Sequence, residues 1–215
     1  MFAPKPNGKL RPLGIPNIKD RVVQTAATIV LGSVFEPDLD DGQYAYRNGR
    51  SPEMAIKEIQ RLLNRDGHRE VVDADLTSYF DTIPHQKLIE ALVRRIADKA
   101  VIHLIKMWIE APIVEKDKKT RREKWSTENR DKRIGTPQGS PISPFLSNIY
   151  MRQFILRWKR NGLTWLYGSV IVNYADDLVI CCKRQGDQAM KAMRIIMADI
   201  GLTVNEEKTK LVHMP

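Results

Sequence analysis

Cysteine is nearly missing from this chain of 215 residues; the two present, Cys181 and Cys182, are neighbours. Adjacent residues on a strand project to opposite faces, so a bridge between them is strained. A disulfide-stapled secreted scaffold is thereby excluded, and both thiols read as reduced, core-type groups of a cytoplasmic protein. Histidine is also scarce: four residues, with no metal-ligand spacing among them. No apolar run approaches the roughly 20 residues that span a bilayer, so no membrane partner is expected. The opening Met1-Phe2-Ala3-Pro4-Lys5-Pro6 lacks the apolar stretch of a secretory signal. Internal repeats and low-complexity tracts are absent as well.

What is present in excess is positive charge. The formal net charge of +9 favours a polyanionic partner, while 42% hydrophobic residues suffice for a real core. The excess is uneven, for Glu115 through Arg133 holds nine Lys or Arg against five Asp or Glu. That stretch has no helical periodicity and reads as a solvated basic hairpin or loop.

Against this basic background, two acidic clusters stand out. Tyr174-Ala175-Asp176-Asp177 separates Val170-Ile171-Val172 from Leu178-Val179-Ile180, the pattern of a buried β-hairpin with two carboxylates at its tip. Upstream, Val71-Val72-Asp73-Ala74-Asp75-Leu76 alternates as a strand, which puts Asp73 and Asp75 on one face. Carboxylates so placed are costly to hold together without a positive partner, and a hard divalent cation with oxygen ligands is the natural one. If strand and hairpin lie side by side, at least three carboxylates converge. That is the donor set of a two-metal site suited to in-line phosphoryl transfer.

The remaining pattern alternates helices and strands. Lys9 to Pro16 reads as strand and turn. A helix from Asp20 to about Phe35 carries Val22, Val23, Ala26, Ile29, Val30 and Val34. Ser51-Pro52 is an N-cap and first-turn pair for a helix through Leu63. Gln86 to Glu110 reads as one long amphipathic helix or a broken pair. Pro141 and Pro144 open another helix, and Asp187 to Ile200 a further one, closed by Gly201, with Met190, Met193 and Met197 as core filler. Leu202 to Val204 and Lys210 to Val212 read as the last strands. From Val71 onward this order suits an α+β fold, a small antiparallel sheet backed by helices in a split β-α-β layout.

Six segments in order make the chain resemble the reverse transcriptases encoded by group II introns and their bacterial relatives. They are Lys9 through Pro16, Tyr46-Arg47-Asn48-Gly49-Arg50-Ser51, Asp75 through Asp81, Gly135-Thr136-Pro137-Gln138-Gly139-Ser140-Pro141, Tyr174 through Asp177, and Gly201 through Lys210. The resemblance implies a polymerase palm with a mixed helical and strand fingers subdomain: residues 1–70 fingers, 71–90 the first palm strand, 91–134 fingers and palm helices with the basic loop, and 135–215 palm. It implies an RNA-directed DNA polymerase that extends a DNA or RNA primer on an RNA template with dNTPs, using two Mg²⁺ ions for which Mn²⁺ can substitute. Asp75, Asp176 and Asp177 would be the catalytic metal carboxylates, with the Leu76 carbonyl as a further oxygen ligand and Asp73 in a supporting place. Phe80 would gate the sugar against a 2′-hydroxyl, with Tyr79 able to exchange roles if the register slips. Gln138 and Gly139 would meet the nucleotide, Arg11 with Lys9 or Lys5 would clamp the triphosphate, and Lys208 would neutralise or protonate the departing pyrophosphate. Ser140 departs from the family pattern, in which a second glycine is usual. Two alternatives follow from the same resemblance. One is a maturase, an RNA-binding splicing cofactor for its own intron RNA. The other is a fragment with little activity, since relatives continue beyond the position of Pro215 into a thumb.

Overall fold

A computed structural model describes residues 2–4, 10–12, 14–116 and 123–214, with side chains from Gly14 onward except at positions 115 and 116. Short strands β1 (Phe2–Pro4) and β2 (Leu10–Pro12) pair antiparallel and lead to α1 (Ile18–Phe35). A 3-10 turn at Glu36–Asp38, α2 (Pro52–Asn64) and β3 (Glu70–Asp75) follow. Next come α3 (Tyr79–Thr82), α4 (His85–Leu92), α5 (Lys99–Ile109), β4 (Ile113–Lys116), β5 (Glu123–Ser126) and α6 (Glu128–Lys132). The chain then forms α7 (Ser143–Arg160), α8 (Leu163–Leu166), β6 (Val170–Tyr174), β7 (Asp177–Cys182), α9 (Gly186–Ile200) and β8 (Lys210–His213).

Two compact units result. The first comprises residues 1–34 and 80–146, the second residues 35–79 and 147–215.

The second unit is built on a four-stranded sheet, order β6-β7-β3-β8, whose neighbours are all antiparallel. One face carries Val71, Cys181, Val172 and Val212, and α2 covers it with Ala55, Ile59 and Leu62. Ser51 caps α2 by accepting from the Met54 N–H at 3.3 Å, with Pro52 in the first turn, as the sequence leads one to expect. The opposite face holds Val72, Ala74, Leu178 and Ile180, each at most 1% exposed. There α9 packs so closely that a Cβ at Gly186 would lie 2.8 Å from Leu211 Cδ1. Met193 and Met197 are fully buried and fill this core, as their flexible thioethers suit. Gly201, at φ +83, ends α9 with its N–H on the Ala198 carbonyl. Both cysteines are buried and free, and burial pushes their thiols up, Cys181 to about 11 and Cys182 to about 12, which keeps them protonated and inert.

In the first unit, α1 forms as the sequence predicts, started by Asn17, whose Oδ1 accepts from the Asp20 N–H at 2.9 Å. The apolar positions that its spacing singles out, however, do not face inward: Val22, Val23, Ile29, Val30 and Val34 are all exposed. Gln24 and Leu31 form the buried side instead. The region from Gln86 to Glu110 is the broken pair, for α4 ends at Leu92 and Asp98 starts α5 by accepting from the N–H groups of Ala100 and Val101. The basic stretch contributes strands β4 and β5 and the short α6 rather than loop alone. Leu202 to Val204, expected as a strand, makes only an isolated bridge between Val204 and Leu76. Among the described residues, no helix is long and apolar enough to cross a membrane.

Candidate active site

The strand register brings the two acidic clusters together. Across β3 and β7, Asp75 stands directly opposite Asp177, and Asp73 opposite Val179. On the other edge of β3, Asp73 faces Lys210, where β8 begins, and beyond it the Asn205 N–H donates to the Asp75 carbonyl at 2.9 Å. Because strand neighbours alternate faces, Asp177 and Asp75 form one cross-sheet row, with Asp73 and Lys210 in the next row on the same face, and Lys208 reaches Asp75 from the turn before β8.

Asp176 sits at the tip beside this row. Tyr174 pairs with Asp177, which leaves Ala175-Asp176 as a two-residue turn with φ +57 at Ala175, the positive first position of a type II′ hairpin. An alanine held there is strained, and the buried Asn173 offsets that strain by donating from Nδ2 to the Ala175 carbonyl at 2.9 Å and the Asp177 carbonyl at 3.0 Å. Asn173 is itself fixed through its backbone, which accepts from the Tyr44 N–H and donates to the Gly42 carbonyl. Gly42 has to be glycine, because a Cβ would strike the Ile171 carbonyl.

The electrostatics follow from this crowding. Burial first, and then the carboxylates of Asp176, Asp75 and Asp73, push the Asp177 carboxyl above its usual value, with Lys208 opposing. The Asp75 Oδ2 accepts from Asn205 Nδ2 at 3.0 Å and pairs with Lys208 Nζ at 3.0 Å. That hydrogen bond, and the carboxylates behind it, hold the Lys208 ammonium above its usual value and therefore charged. Lys210 Nζ lies 3.7 Å from Asp73. With Asp75 committed to Asn205 and Lys208, no three His, Cys, Asp or Glu side chains among the described residues are posed around a single ion position. The donor set nonetheless suits a hard divalent cation: only oxygen ligands, more negative charge than two lysines offset, and an acid, Asp177, whose charged form its carboxylate neighbours destabilise. The bridge between Leu76 and Val204 is carried by the Asp75 carbonyl and the Thr77 N–H, so it does not consume the Leu76 carbonyl.

The Gly135–Pro141 segment belongs to the first unit, where it is pinned at several points. The Thr136 N–H donates to the Phe80 carbonyl at 2.7 Å, and Gly135 N–H to the Ile83 carbonyl at 2.8 Å. Gln138 donates from Nε2 to both carboxylate oxygens of Asp81 at 2.9 Å, which orients the amide and leaves Oε1 outward of that pair. Its carbonyl accepts from the Gly14 N–H at 2.7 Å. Gly139, at φ +98, passes so close to Gly14 that a Cβ would sit 2.6 Å from the Gly14 carbonyl oxygen. The unusual Ser140 fits without positive φ, and its buried hydroxyl donates to Gln24 Oε1 at 2.6 Å. Phe80 is half-exposed. Tyr79 cannot exchange roles with it, because Tyr79 is 2% exposed and its hydroxyl donates to the Ser147 carbonyl at 2.6 Å. Of the proposed phosphate clamp, Lys5 and Lys9 lie outside the described residues, and Arg11 is described only as backbone of β2.

Reading the sequence alone misses three partners of the acidic row: Asn205, Lys210 and Asn173. The first two were legible in principle, since Asn205, Lys208 and Lys210 lie on the strand approach that must register against an acidic strand. Asn173 carried no local signal; its task appears only once the turn is built.

A sheet of this order, with acidic residues paired at the end of its central strands, defines the palm of a nucleic-acid polymerase. A family model described as reverse transcriptase (RNA-dependent DNA polymerase) matches residues 3–215, and the chain belongs to that family. It is 31% identical along its whole length to the protein YkfC of Escherichia coli K12. It is also 35% identical, over 74% of its length, to the group II intron-encoded protein LtrA of Lactococcus lactis subsp. cremoris. The chain spans 62% of the length of the first relative and 25% of the second. Among solved structures, a Candida tropicalis telomerase in complex with a fragment of telomeric RNA matches 99% of the chain, with TM-score 0.70 and 13% identity, over 40% of its own length. That likeness concerns the fold.

Proposed function

We propose that this chain carries an RNA-directed DNA polymerase activity, extending a primer with dNTPs on an RNA template. The observation that carries the reading is the acidic row: Asp75 opposite Asp177, with Asp176 on the adjoining turn, in a chain of the reverse transcriptase family. In this reading residues 1–70 are fingers, 71–90 the first palm strand, 91–134 fingers and palm helices with the basic loop, and 135–215 palm. Asp75, Asp176, Asp177 and the Leu76 carbonyl would hold Mg²⁺, or Mn²⁺ in its place. Two such ions, when bound, supply activation of the primer 3′-hydroxyl and neutralisation of the pyrophosphate oxygens.

The chain's own groups do the rest. Asn205 orients the Asp75 carboxylate. Lys208, kept protonated beside Asp75, is a source of positive charge and of a proton for the leaving pyrophosphate. Gln138, its amide fixed by Asp81, presents Oε1 to the nucleotide or its pairing base, and Gly139 permits close backbone approach. Phe80 packs under the sugar and excludes a 2′-hydroxyl. Arg11 and Lys9 offset the triphosphate charge.

The test is extension of a DNA primer on an RNA template, comparing dNTPs with rNTPs. Wild type should incorporate dNTPs, Asp75→Ala should incorporate neither, and Phe80→Ala should narrow the dNTP preference by roughly tenfold or more. Equal activity of Asp75→Ala would sink the reading.

A relative from Arabidopsis thaliana named as an intron maturase favours a second activity, binding of intron RNA as a splicing cofactor. Asp176→Ala separates the two, because splicing assistance should survive it while extension should not.

A further inference from the structure

At the base of the β6–β7 hairpin, roughly 20 Å along the strands from the acidic tip, the second unit presents a different kind of surface. Trp165, on the one-turn helix α8, is 80% exposed, and Leu166 beside it is 41% exposed. A tryptophan left so open in a well-packed region is unusual, and its neighbour in sequence shows the contrast. Trp158 is fully buried, stacks at a tilt on Phe154 and Tyr167, and donates its indole N–H to Ser169 Oγ at 3.0 Å. Through buried Tyr167 this aromatic group anchors the segment that displays Trp165. Arg184 secures it from the other side, donating to the Trp165 carbonyl at 3.1 Å and the Leu166 carbonyl at 2.9 Å.

Three cations lie on the segments that adjoin α8: Arg160 two residues before Gly162, and Lys183 and Arg184 just past β7. Arg160, Lys183 and Arg184 are exposed, and among the described residues none of them pairs with an acidic side chain. Nearby cations are already neutralised: Lys159 pairs with Asp40, and Arg157 with Asp199. The stem of Lys183 lies against Gly168, which holds it on the α8 side.

We propose that Trp165, with Arg160, Lys183 and Arg184, is a binding site for single-stranded nucleic acid, separate from the acidic row. An exposed indole offers a stacking platform to any unpaired base, Arg160 and Lys183, without acidic partners, take the flanking phosphates, and Arg184 adds charge while it holds the Trp165 backbone. The site does not depend on polymerase chemistry, because it lies at the other end of the sheet from Asp75 and Asp177.

The test uses the full chain in EDTA, which removes divalent ions, and measures binding of a fluorescent 12-nucleotide RNA and of its DNA counterpart across a salt series. Trp165→Ala should weaken binding of both by about tenfold, and Trp165→Phe should restore most of it, since a phenyl ring still stacks. Arg160→Gln and Lys183→Gln should each flatten the salt dependence, by a slope of roughly 0.7. Affinity unchanged in Trp165→Ala would overturn the site. So would unchanged affinity together with lost self-association in sedimentation, which would make the patch a protein contact. Circular dichroism guards against misfolding of the variants. Asp75→Ala should bind both oligonucleotides like wild type, so failure of the polymerase reading registers in primer extension and not here.

Discussion

The two units hold their family motifs by different physical means. In the second, the acidic residues are positioned by a β ladder: a period of two sets the face, and antiparallel register sets who stands opposite whom. A shift of one residue would send every carboxylate to the other side of the sheet. In the first, the Gly135–Pro141 segment has no ladder. It is fastened by single contacts, the Gly139 approach to Gly14, the Gln138–Asp81 pair and the Ser140–Gln24 hydrogen bond. In the proposed reading the chemistry sits on the ladder, and the segment expected to meet the nucleotide rests on contacts that can be removed one at a time.

That contrast can be broken most severely at Asp75. Asp75→Ala should lower primer extension by at least about a thousandfold, the scale of losing metal-held charge in the transition state, while leaving hydrogen-exchange protection of the first unit intact. Gly139→Ala should do the reverse. With φ at +98 and a Cβ driven against the Gly14 carbonyl, it should cost about 2 kcal/mol or more, visible as lost protection around residues 135–141 with the sheet unaffected. Ser140→Ala is milder: it leaves the buried Gln24 amide without its partner and should cost about 1–2 kcal/mol in denaturant unfolding.

The smallest effect is on pH, and its sign differs between the two groups concerned. In the first unit, burial depresses His85, whose Nε2 contacts the Gly135 carbonyl at 2.7 Å. The unfolded chain protonates that histidine more readily, so stability falls as pH drops below about 6.5 toward its lower folded value. Asp177 is raised, so the folded state takes up its proton first and gains stability as pH falls through that raised value toward the ordinary carboxylate range. His68 in the second unit is depressed by burial too and works against that gain. Thermal melts of His85→Gln should therefore show a shallower decline from pH 7 to 5 than wild type, and those of Asp177→Asn a steeper one.

Much of the acidic row was legible beforehand because strands impose a simple rule. Asp73 and Asp75 share a face by alternation, and the apolar runs flanking Asp176 and Asp177 announce a hairpin. What alternation cannot supply is register, so Lys210 gained its carboxylate partner only once β8 was laid beside β3, and Lys208 its own only once the turn before β8 was built. The first unit was harder to read. Gly139 requires glycine because of a carbonyl over a hundred positions away, and nothing near it in sequence says so. The face of α1 was misleading for a related reason: its spacing marks a helix, but which side is buried depends on partners such as Ser140, and Gln24 is inside while Val22 is out.

The most direct test of the central claim is divalent-ion binding by the chain alone, measured as the loss of the free Mn²⁺ signal in electron paramagnetic resonance, without substrate or turnover. Saturable binding that Mg²⁺ displaces, and that Asp75→Asn or Asp177→Asn abolishes, is the predicted result. Mn²⁺ binding that is identical in wild type and in both variants would contradict it.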